Sequence, residues 1–197
     1  MKALILNKKS FSAAWRLLVC AIFSLSSLAI INLLLSEKID NAEKKAKLAK
    51  FQEIYPQLQA DIAEKYKIDE RCRKIFTDGE KEILFIEALT NKGYSGDIKV
   101  LIGINKTSCN LVGVRILEHK ETPGLGDKIE TRISNWILNF NGKSIKNTKF
   151  KVKKDGGDFD AFTGATITPR AVVELVGEVL LEAEQKYCDY SRSNAKK

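Results

Sequence analysis

The sequence predicts an α+β protein in which a single N-terminal transmembrane helix precedes a small mixed or antiparallel sheet with packed helices. Three observations predict this fold. Residues 17–36 contain no charged side chain. Residues 82–118 hold three runs rich in β-branched and apolar residues, separated by loops of turn-forming residues. Residues 169–187 repeat apolar side chains at helical spacing.

The uncharged segment at residues 17–36 is long enough to cross a bilayer, since a helix of about 20 residues spans about 30 Å. A cleaved signal peptide would have a shorter apolar region, of roughly 7–15 residues, that ends at a small-x-small site. Here three leucines, Leu33 to Leu35, run directly into Ser36. We therefore expect an uncleaved signal anchor with residues 1–16 as a cytoplasmic tail. The remaining domain is expected outside the cytoplasm, because long domains translocate regardless of their charge.

The membrane segment is followed by a predicted juxtamembrane stalk or start of the domain at residues 37–80, helical to about residue 67 and broken or capped at Pro56. The folded domain is expected at residues 81–190, with a disordered tail at 191–197.

The predicted elements of this domain are strands at 82–90, 97–104, 111–118 and 150–153, and helices at 127–140 and 169–187. Asp127 is the expected N-cap of the first of these helices. Thr168 is the expected N-cap of the second, with Pro169 in its first turn.

Charge and cysteine content exclude several classes of function. Lys and Arg total 33 against 25 Asp and Glu, a net charge of +8, but the basic residues are scattered and no nucleic-acid-binding motif is present. We therefore expect no nucleic-acid partner. Cys20 lies in the membrane segment, and the other three cysteines show neither C-x-x-C nor metal-ligand spacing. We expect no metal site and at most one disulfide, with the pairing left open.

The most informative segment is Asp160-Ala-Phe-Thr-Gly-Ala-Thr166, which continues into Ile-Thr-Pro-Arg170. It places three hydroxyl groups, those of Thr163, Thr166 and Thr168, at the start of a predicted helix. Free backbone N–H groups and the helix dipole make such a position suited to an anion, and Gly164 and Ala165 leave room for a ligand. The alternative is a plain capped helix start, in which Thr168 caps the helix and the other two threonines occupy turn positions.

Two blocks of the sequence resemble a known family. Gly113–Ile129 contains Thr-Pro-Gly-Leu-Gly at residues 122–126, and Lys153–Arg170 contains the D-x-x-T-G-A-T pattern. Together with the membrane helix and the chain length, they resemble the G subunit of the Rnf/Rsx electron-transport complex. The C subunit of the sodium-translocating NADH:quinone reductase is related and shares the S/T-G-A-T block. The resemblance covers most of the chain and is strongest from Gly113 to Val173.

The resemblance implies that Thr166 carries FMN through a phosphoester bond. It implies that a flavin transferase with FAD as donor reads the motif at Asp160, Thr163, Gly164 and Ala165, with Thr168 as an alternative attachment site. The loop expected near the flavin comprises Thr122, Pro123, Gly124, Leu125 and Gly126. No catalytic acid, base or nucleophile acting on a substrate is expected.

The function implied is that of an electron-transfer subunit in a bacterial inner-membrane complex, rather than an independent enzyme. It would pass electrons between ferredoxin and NAD-linked carriers with coupled ion translocation, together with other membrane and iron–sulfur subunits. In some bacteria the same complex would reduce a redox-sensing regulator. The alternative is a membrane-anchored extracytoplasmic binding module without a redox role. A stand-alone flavin reductase is disfavoured, since the chain lacks a G-x-G-x-x-G fingerprint.

Two further features are interpreted as structural. His119, the only histidine, is expected to be a solvated loop residue rather than a ligand. The segment from Asp155 to Asp160 lacks the spacing of an EF-hand calcium loop and is expected to be a turn.

Overall fold

Two α-helices and five strands make up the part of the chain that the computed structural model describes, which is residues 8–58, 66–71, 73–77 and 83–188. The elements in chain order are α1 (Lys8–Ile54), β1 (Lys67–Ile68), β2 (Lys74–Thr77), β3 (Ile83–Gly93), β4 (Gly96–Asn105), β5 (Leu111–Glu118) and α2 (Ile167–Lys186). The chain divides into two compact units, residues 1–46 and residues 47–197.

The N-terminal unit consists of most of α1. The stretch Ala13–Ile54 of this helix is long and apolar enough to cross a membrane, with a mean hydropathy of 2.4 in its most apolar window. That window is not buried by any other part of the described chain. The helix ends at Ile54 and not near residue 67, because Pro56 disfavours helical conformation in the residue before it. The expected break at Pro56 is thus confirmed, whereas residues 59–65, on which most of the remaining expected helix falls, lie outside the described residues.

The second unit is built on a five-stranded antiparallel meander in the order β1-β2-β3-β4-β5. The longest pairings join β3 to β4 and β4 to β5. The predicted strands at 82–90, 97–104 and 111–118 correspond to β3, β4 and β5, so the α+β class is confirmed. The strands β1 and β2 were not predicted, because they lie in the segment interpreted as a helical stalk.

Both faces of the sheet are covered. On one face, Leu84, Ile86 and Ile102 pack against α2 and the segment that precedes it. On the other face, Phe85 and Leu101 pack against the last turns of α1. The two faces follow from the alternation of side chains along β3 and β4.

An ion pair that is buried on the Arg115 side also fixes the end of α1 on the sheet. The Arg115 Nε of β5 lies 2.8 Å from the Glu53 Oε2 of α1, and Arg115 donates a further bond to the Glu53 carbonyl. Since both Phe51 and Arg115 are largely buried, the last turns of α1 belong to the folded domain.

The predicted helix at 127–140 is wrong. Residues Gly126–Ile129 and Trp136–Phe140 form two short 3-10 helices separated by turns, and Asp127 lies inside the first of them rather than at its N-cap. The Ser134 hydroxyl donates to the Lys128 carbonyl and accepts from the Trp136 N–H. These local side-chain bonds compete with helical backbone bonds and explain the interruption. The predicted strand at 150–153 is reduced to one bridge between Val152 and Phe159.

The helix α2 begins two residues earlier than predicted. Thr166 is its N-cap, so Thr168 lies within the first turn and the prediction of Thr168 as the cap is wrong. Pro169 still occupies the first turn, where its missing N–H costs no hydrogen bond. The apolar face of α2 packs on the sheet as its spacing predicts.

A disulfide joins Cys109, in the loop between β4 and β5, to Cys188, just after α2. Their Cα atoms are 5.9 Å apart. Cys20 is free and exposed on α1. Cys72 and the tail at 191–197 lie outside the described residues, as do residues 1–7 of the predicted cytoplasmic tail.

Candidate functional site

A cleft of about 260 Å³ lies at the start of α2, where three segments of the domain meet. The turn between β3 and β4, the loop after β5 and the residues that lead into α2 form its walls. The lining residues are Tyr94, Glu121, Thr122, Leu125, Gly126, Gly164, Ala165, Thr166, Ile167 and Thr168.

Two tight turns shape this cleft. In the first, the Leu125 N–H donates to the Thr122 carbonyl at 3.2 Å, and Gly124 has φ +79°. In the second, the Ala165 N–H donates to the Phe162 carbonyl at 3.1 Å, and Gly164 has φ +81°. A glycine with positive φ at the third position is typical of a type II turn.

The two turns approach each other closely across the cleft. A Cβ atom at Gly164 would lie 3.8 Å from the Leu125 Cδ2. The Thr-Pro-Gly-Leu-Gly block and the D-x-x-T-G-A-T block are therefore brought to one site by the fold.

The threonines of the site have different environments. Thr166 is half-buried, and as N-cap of the 20-residue α2 its hydroxyl makes no capping hydrogen bond. Thr168 is 1% exposed, and its hydroxyl donates to the Glu121 Oε2 at 2.7 Å. Thr163 is exposed and does not line the cleft. Thr166 thus combines an uncommitted hydroxyl with a position beside the free N–H groups of a helix start.

The segment that precedes Thr166 is anchored from outside the cleft. The Asp160 carbonyl accepts a bond of 2.8 Å from the Trp136 indole N–H, whereas the Asp160 carboxylate is exposed and lies 2.7 Å from the Lys153 Nζ. Asp160 therefore does not line the cleft, and neither do Pro123 and Gly124.

A second anchor joins this segment to the first turn of α2. The Arg170 guanidinium donates two bonds to the Asp155 carboxylate, at 2.6 and 3.1 Å. These bonds lower the pKa of Asp155 and raise that of Arg170. The turn predicted from Asp155 is confirmed, with Gly156 at φ +78°.

Three cleft residues were not predicted, namely Tyr94, Glu121 and Ile167. Tyr94 and Ile167 are exposed, at 71% and 44%, whereas Glu121 is only 6% exposed. Glu121 comes directly before the Thr-Pro-Gly-Leu-Gly loop, and that adjacency was the available signal. Nothing in the sequence alone indicated that its side chain turns inward, since its partners lie far away along the chain.

His119 is not the solvated loop residue that was expected, because its side chain is only 10% exposed. Its Nδ1 accepts the Glu121 backbone N–H at 3.0 Å, so the proton is on Nε2, which lies 2.6 Å from the Glu130 Oε1. Glu130 is also bound by Arg132. The Arg132 guanidinium, and to a lesser degree His119, lower the pKa of Glu130 to about 2 against the opposing effect of burial.

The low pKa of Glu130 leads to a prediction about acid stability. A carboxyl group with a folded-state pKa below its unfolded value stabilises the fold above about pH 4.5, and this stabilisation is lost as the pH falls towards about 2. In Glu130→Gln we therefore expect a smaller difference in melting temperature between pH 7 and pH 3 than in the wild-type protein. An equal difference in both proteins would contradict this role of Glu130.

Comparison with known proteins places the cleft in a recognised domain. The family described as the FMN-binding domain matches residues 93–181, which include every residue that lines the cleft. Several curated relatives are named as the G subunit of an ion-translocating oxidoreductase complex. The Pasteurella multocida protein is 44% identical over 168 residues, which cover 77% of this chain and 82% of that protein.

Two further relatives with the same name match a shorter segment. The Vibrio atlanticus protein is 51% identical over 111 residues, which cover 55% of this chain and 53% of its own length. The Salmonella typhi protein is 53% identical over 110 residues, which cover 54% and 53% respectively. The chain thus aligns with about half the length of these two relatives, and with most of the Pasteurella protein.

Proposed function

We propose that this chain, which belongs to the family of G subunits of ion-translocating oxidoreductase complexes, is a membrane-bound electron-transfer subunit with FMN attached covalently to Thr166. The observation that carries the proposal is the position of Thr166. Its hydroxyl makes no capping bond, and the residue lines the cleft of the FMN-binding domain at the start of a long helix.

The residues of the cleft fit FMN at both ends of that molecule. The phosphate end suits the start of α2, where unpaired backbone N–H groups and the helix dipole favour an anion. The apolar ring system suits Tyr94, Leu125 and Ile167, which are exposed apolar side chains around the same cleft. Gly126 also lines the cleft, and a Cβ there would lie 2.6 Å from the Glu121 Oε2 and 3.0 Å from the Thr168 hydroxyl oxygen, so glycine leaves both groups in place.

Attachment would form a bond between the Thr166 oxygen and the flavin-side phosphorus of FAD. The pyrophosphate bond of FAD breaks, AMP leaves and the hydroxyl proton is lost. A flavin transferase would have to reach this segment, and the exposure of Asp160 and Thr163 supports such access. Thr168 is less suited as the acceptor, because its hydroxyl is buried and already donates to Glu121.

The size of the cleft supports a carrier role. Sites that enclose a drug-sized ligand usually have volumes of about 300–1,000 Å³, and this cleft of about 260 Å³ would leave part of a flavin open to a redox partner. Bound FMN supplies one- or two-electron transfer.

We assign the chain to a complex with other membrane and iron–sulfur subunits that moves electrons between ferredoxin and NAD-linked carriers. Coupled ion translocation, and in some bacteria reduction of a redox-sensing regulator, belong to the same proposal.

A location on the periplasmic side of the inner membrane is also proposed. The apolar helix α1 supports membrane attachment. The disulfide between Cys109 and Cys188 supports an oxidising compartment for the domain, since disulfides persist outside the cytoplasm and are rare within it. Such a compartment has no FMN pool, and a covalent bond would prevent the loss of the cofactor.

The alternative, a binding module for an anionic ligand without a redox role, is opposed by the charge of the cleft. The lining residues include the buried carboxyl group of Glu121 and neither Lys nor Arg. This carboxylate would repel an anion held by non-covalent forces alone, whereas a phosphoester bond would hold the phosphate in spite of it.

Denaturation separates the two functions. When the full chain is produced together with a flavin transferase and then denatured, we expect the yellow flavin to remain with the protein through gel filtration. A binding module would release any flavin into the small-molecule fraction. Colourless denatured protein, with the transferase active on a control substrate, would contradict the proposed function.

A further inference from the structure

We propose that Glu121 is the residue that sets the reduction potential of the flavin, by holding a negative charge in the wall of the cleft. This inference rests on the proposed function, because it concerns FMN bound in this cleft. It is carried by four features of Glu121, which are its burial, its two hydrogen bonds, the space made for it and the absence of a cationic partner among the described residues.

The Glu121 side chain is held from two directions. Its Oε1 accepts the Ser95 backbone N–H at 3.0 Å, from the turn between β3 and β4. Its Oε2 accepts the Thr168 hydroxyl at 2.7 Å, from the first turn of α2. The turn closes the paired strands β3 and β4, and α2 packs on the sheet, so both partners of the carboxylate belong to elements outside the loop that carries it.

The backbone on two sides leaves space for this carboxylate. A Cβ at Gly93 would lie 2.7 Å from the Glu121 Oε1, and a Cβ at Gly126 would lie 2.6 Å from its Oε2. Any other residue at these positions would force the side chain of Glu121 to move. The chain therefore has glycine at both places where a side chain would displace the charged group.

The charge of Glu121 has no counter-ion in the described part of the chain. None of its Lys, Arg or His side chains forms an ion pair with Glu121. The neighbouring His119 uses one ring nitrogen to accept the Glu121 backbone N–H and the other to bind Glu130. The nearby Arg132 also binds Glu130. The negative charge therefore acts on the cleft without a counter-ion from the described residues.

A fixed negative charge in a partly desolvated cleft opposes the addition of electrons to a group bound there. Glu121 therefore disfavours the reduced flavin and lowers its potential, which suits a carrier that exchanges electrons with low-potential partners. Two charges a few ångströms apart, in an environment with an effective dielectric constant of about 20, interact strongly enough to change an equilibrium constant by tenfold or more. The Ser95 and Thr168 bonds reduce this effect in part, since they draw charge from the carboxylate.

The substitution Glu121→Gln tests this inference with little change in shape. The amide oxygen can accept the Ser95 N–H, and the amide nitrogen can donate to the Thr168 hydroxyl, so both contacts survive while the charge is removed. We expect the flavin midpoint potential of the full-length flavinylated protein to become more positive. The expected size is about tenfold in the ratio of reduced to oxidised flavin at fixed potential, or about 30 mV for a two-electron couple.

The matched control is Glu118→Gln, which removes the same charge three residues earlier. Glu118 is 73% exposed, pairs with Lys99 and does not line the cleft, so its removal should leave the potential unchanged. An equal potential in Glu121→Gln and the wild-type protein, or an equal shift in both variants, would overturn the inference.

Mass spectrometry on each sample first establishes that FMN is attached. Absence of the adduct from the wild-type protein would count against the proposed function, and an attached flavin with unchanged potential against the role of Glu121.

A second variant covers the case in which Glu121→Gln does not accept flavin. Thr168→Val keeps the shape of the side chain and the charge of Glu121 but removes one donor to the carboxylate. The less neutralised charge should make the potential more negative. A potential that stays constant or becomes more positive in Thr168→Val would overturn the inference.

Discussion

Replacing Thr166 by alanine is expected to abolish the covalent flavin completely. The substitution removes the uncommitted hydroxyl at the start of α2, and no phosphoester can form at this position without it. Little change in stability is expected, because the Thr166 side chain makes no capping bond that alanine would lose. The measurement is the intact mass of the full-length wild-type and Thr166→Ala chains after production with an active flavin transferase.

Two matched variants support the interpretation of this result. Thr166→Ser retains a hydroxyl and should still accept the flavin. Thr168→Val removes the neighbouring hydroxyl, which is buried against Glu121, and should also retain the adduct. A flavin mass that persists in Thr166→Ala and disappears in Thr168→Val would move the attachment site to Thr168.

Loss of the disulfide is expected to have the largest effect on stability. Cys109 and Cys188 are separated by 79 residues, and the chain-entropy account gives about 4.5 kcal/mol for a loop of this length. Cys109→Ser together with Cys188→Ser should lower the free energy of unfolding by that amount. A urea titration of the full chain in detergent, followed by tryptophan fluorescence, measures it.

The control for the cysteine variants is Cys20→Ser, since Cys20 is a free thiol on α1. Its replacement should leave the urea midpoint unchanged. Alkylation before and after reduction gives an independent check, because reduction should expose two additional thiols in the protein isolated from membranes. Full alkylation without a reductant would contradict both the disulfide and the support that it gives to a periplasmic location.

Local patterns predicted the elements whose residues repeat at a regular spacing. The strands β3, β4 and β5 and the apolar face of α2 follow from such periodicity. The region from residue 127 to 140 also has apolar residues at helical spacing, but Ser134 bonds to nearby backbone groups and the helix does not form. The strands β1 and β2 are too short, at two and four residues, to show a period.

The candidate site was partly predictable for the same reason. Thr166, Gly164 and the Thr-Pro-Gly-Leu-Gly loop belong to short contiguous patterns, and the fold brings both patterns to one cleft. Glu121 could not be assigned, because its environment is made by Ser95 and Thr168, which are 26 and 47 residues away along the chain. The N-cap of α2 was predicted at Thr168, two residues too late. Thr166 and Thr168 have equal capping propensity, and they differ in the tertiary bond that Thr168 makes to Glu121.

Locating the flavin within one peptide tests the central claim most directly. Trypsin should release Asp155–Arg170, which contains Thr163, Thr166 and Thr168 and no other threonine. Fragmentation of this peptide from the flavinylated wild-type chain should place a mass of one FMN minus one water on Thr166. The same mass on Thr163 or Thr168, or an unmodified peptide from a preparation in which the transferase is active, would contradict the assignment of Thr166 as the flavin carrier.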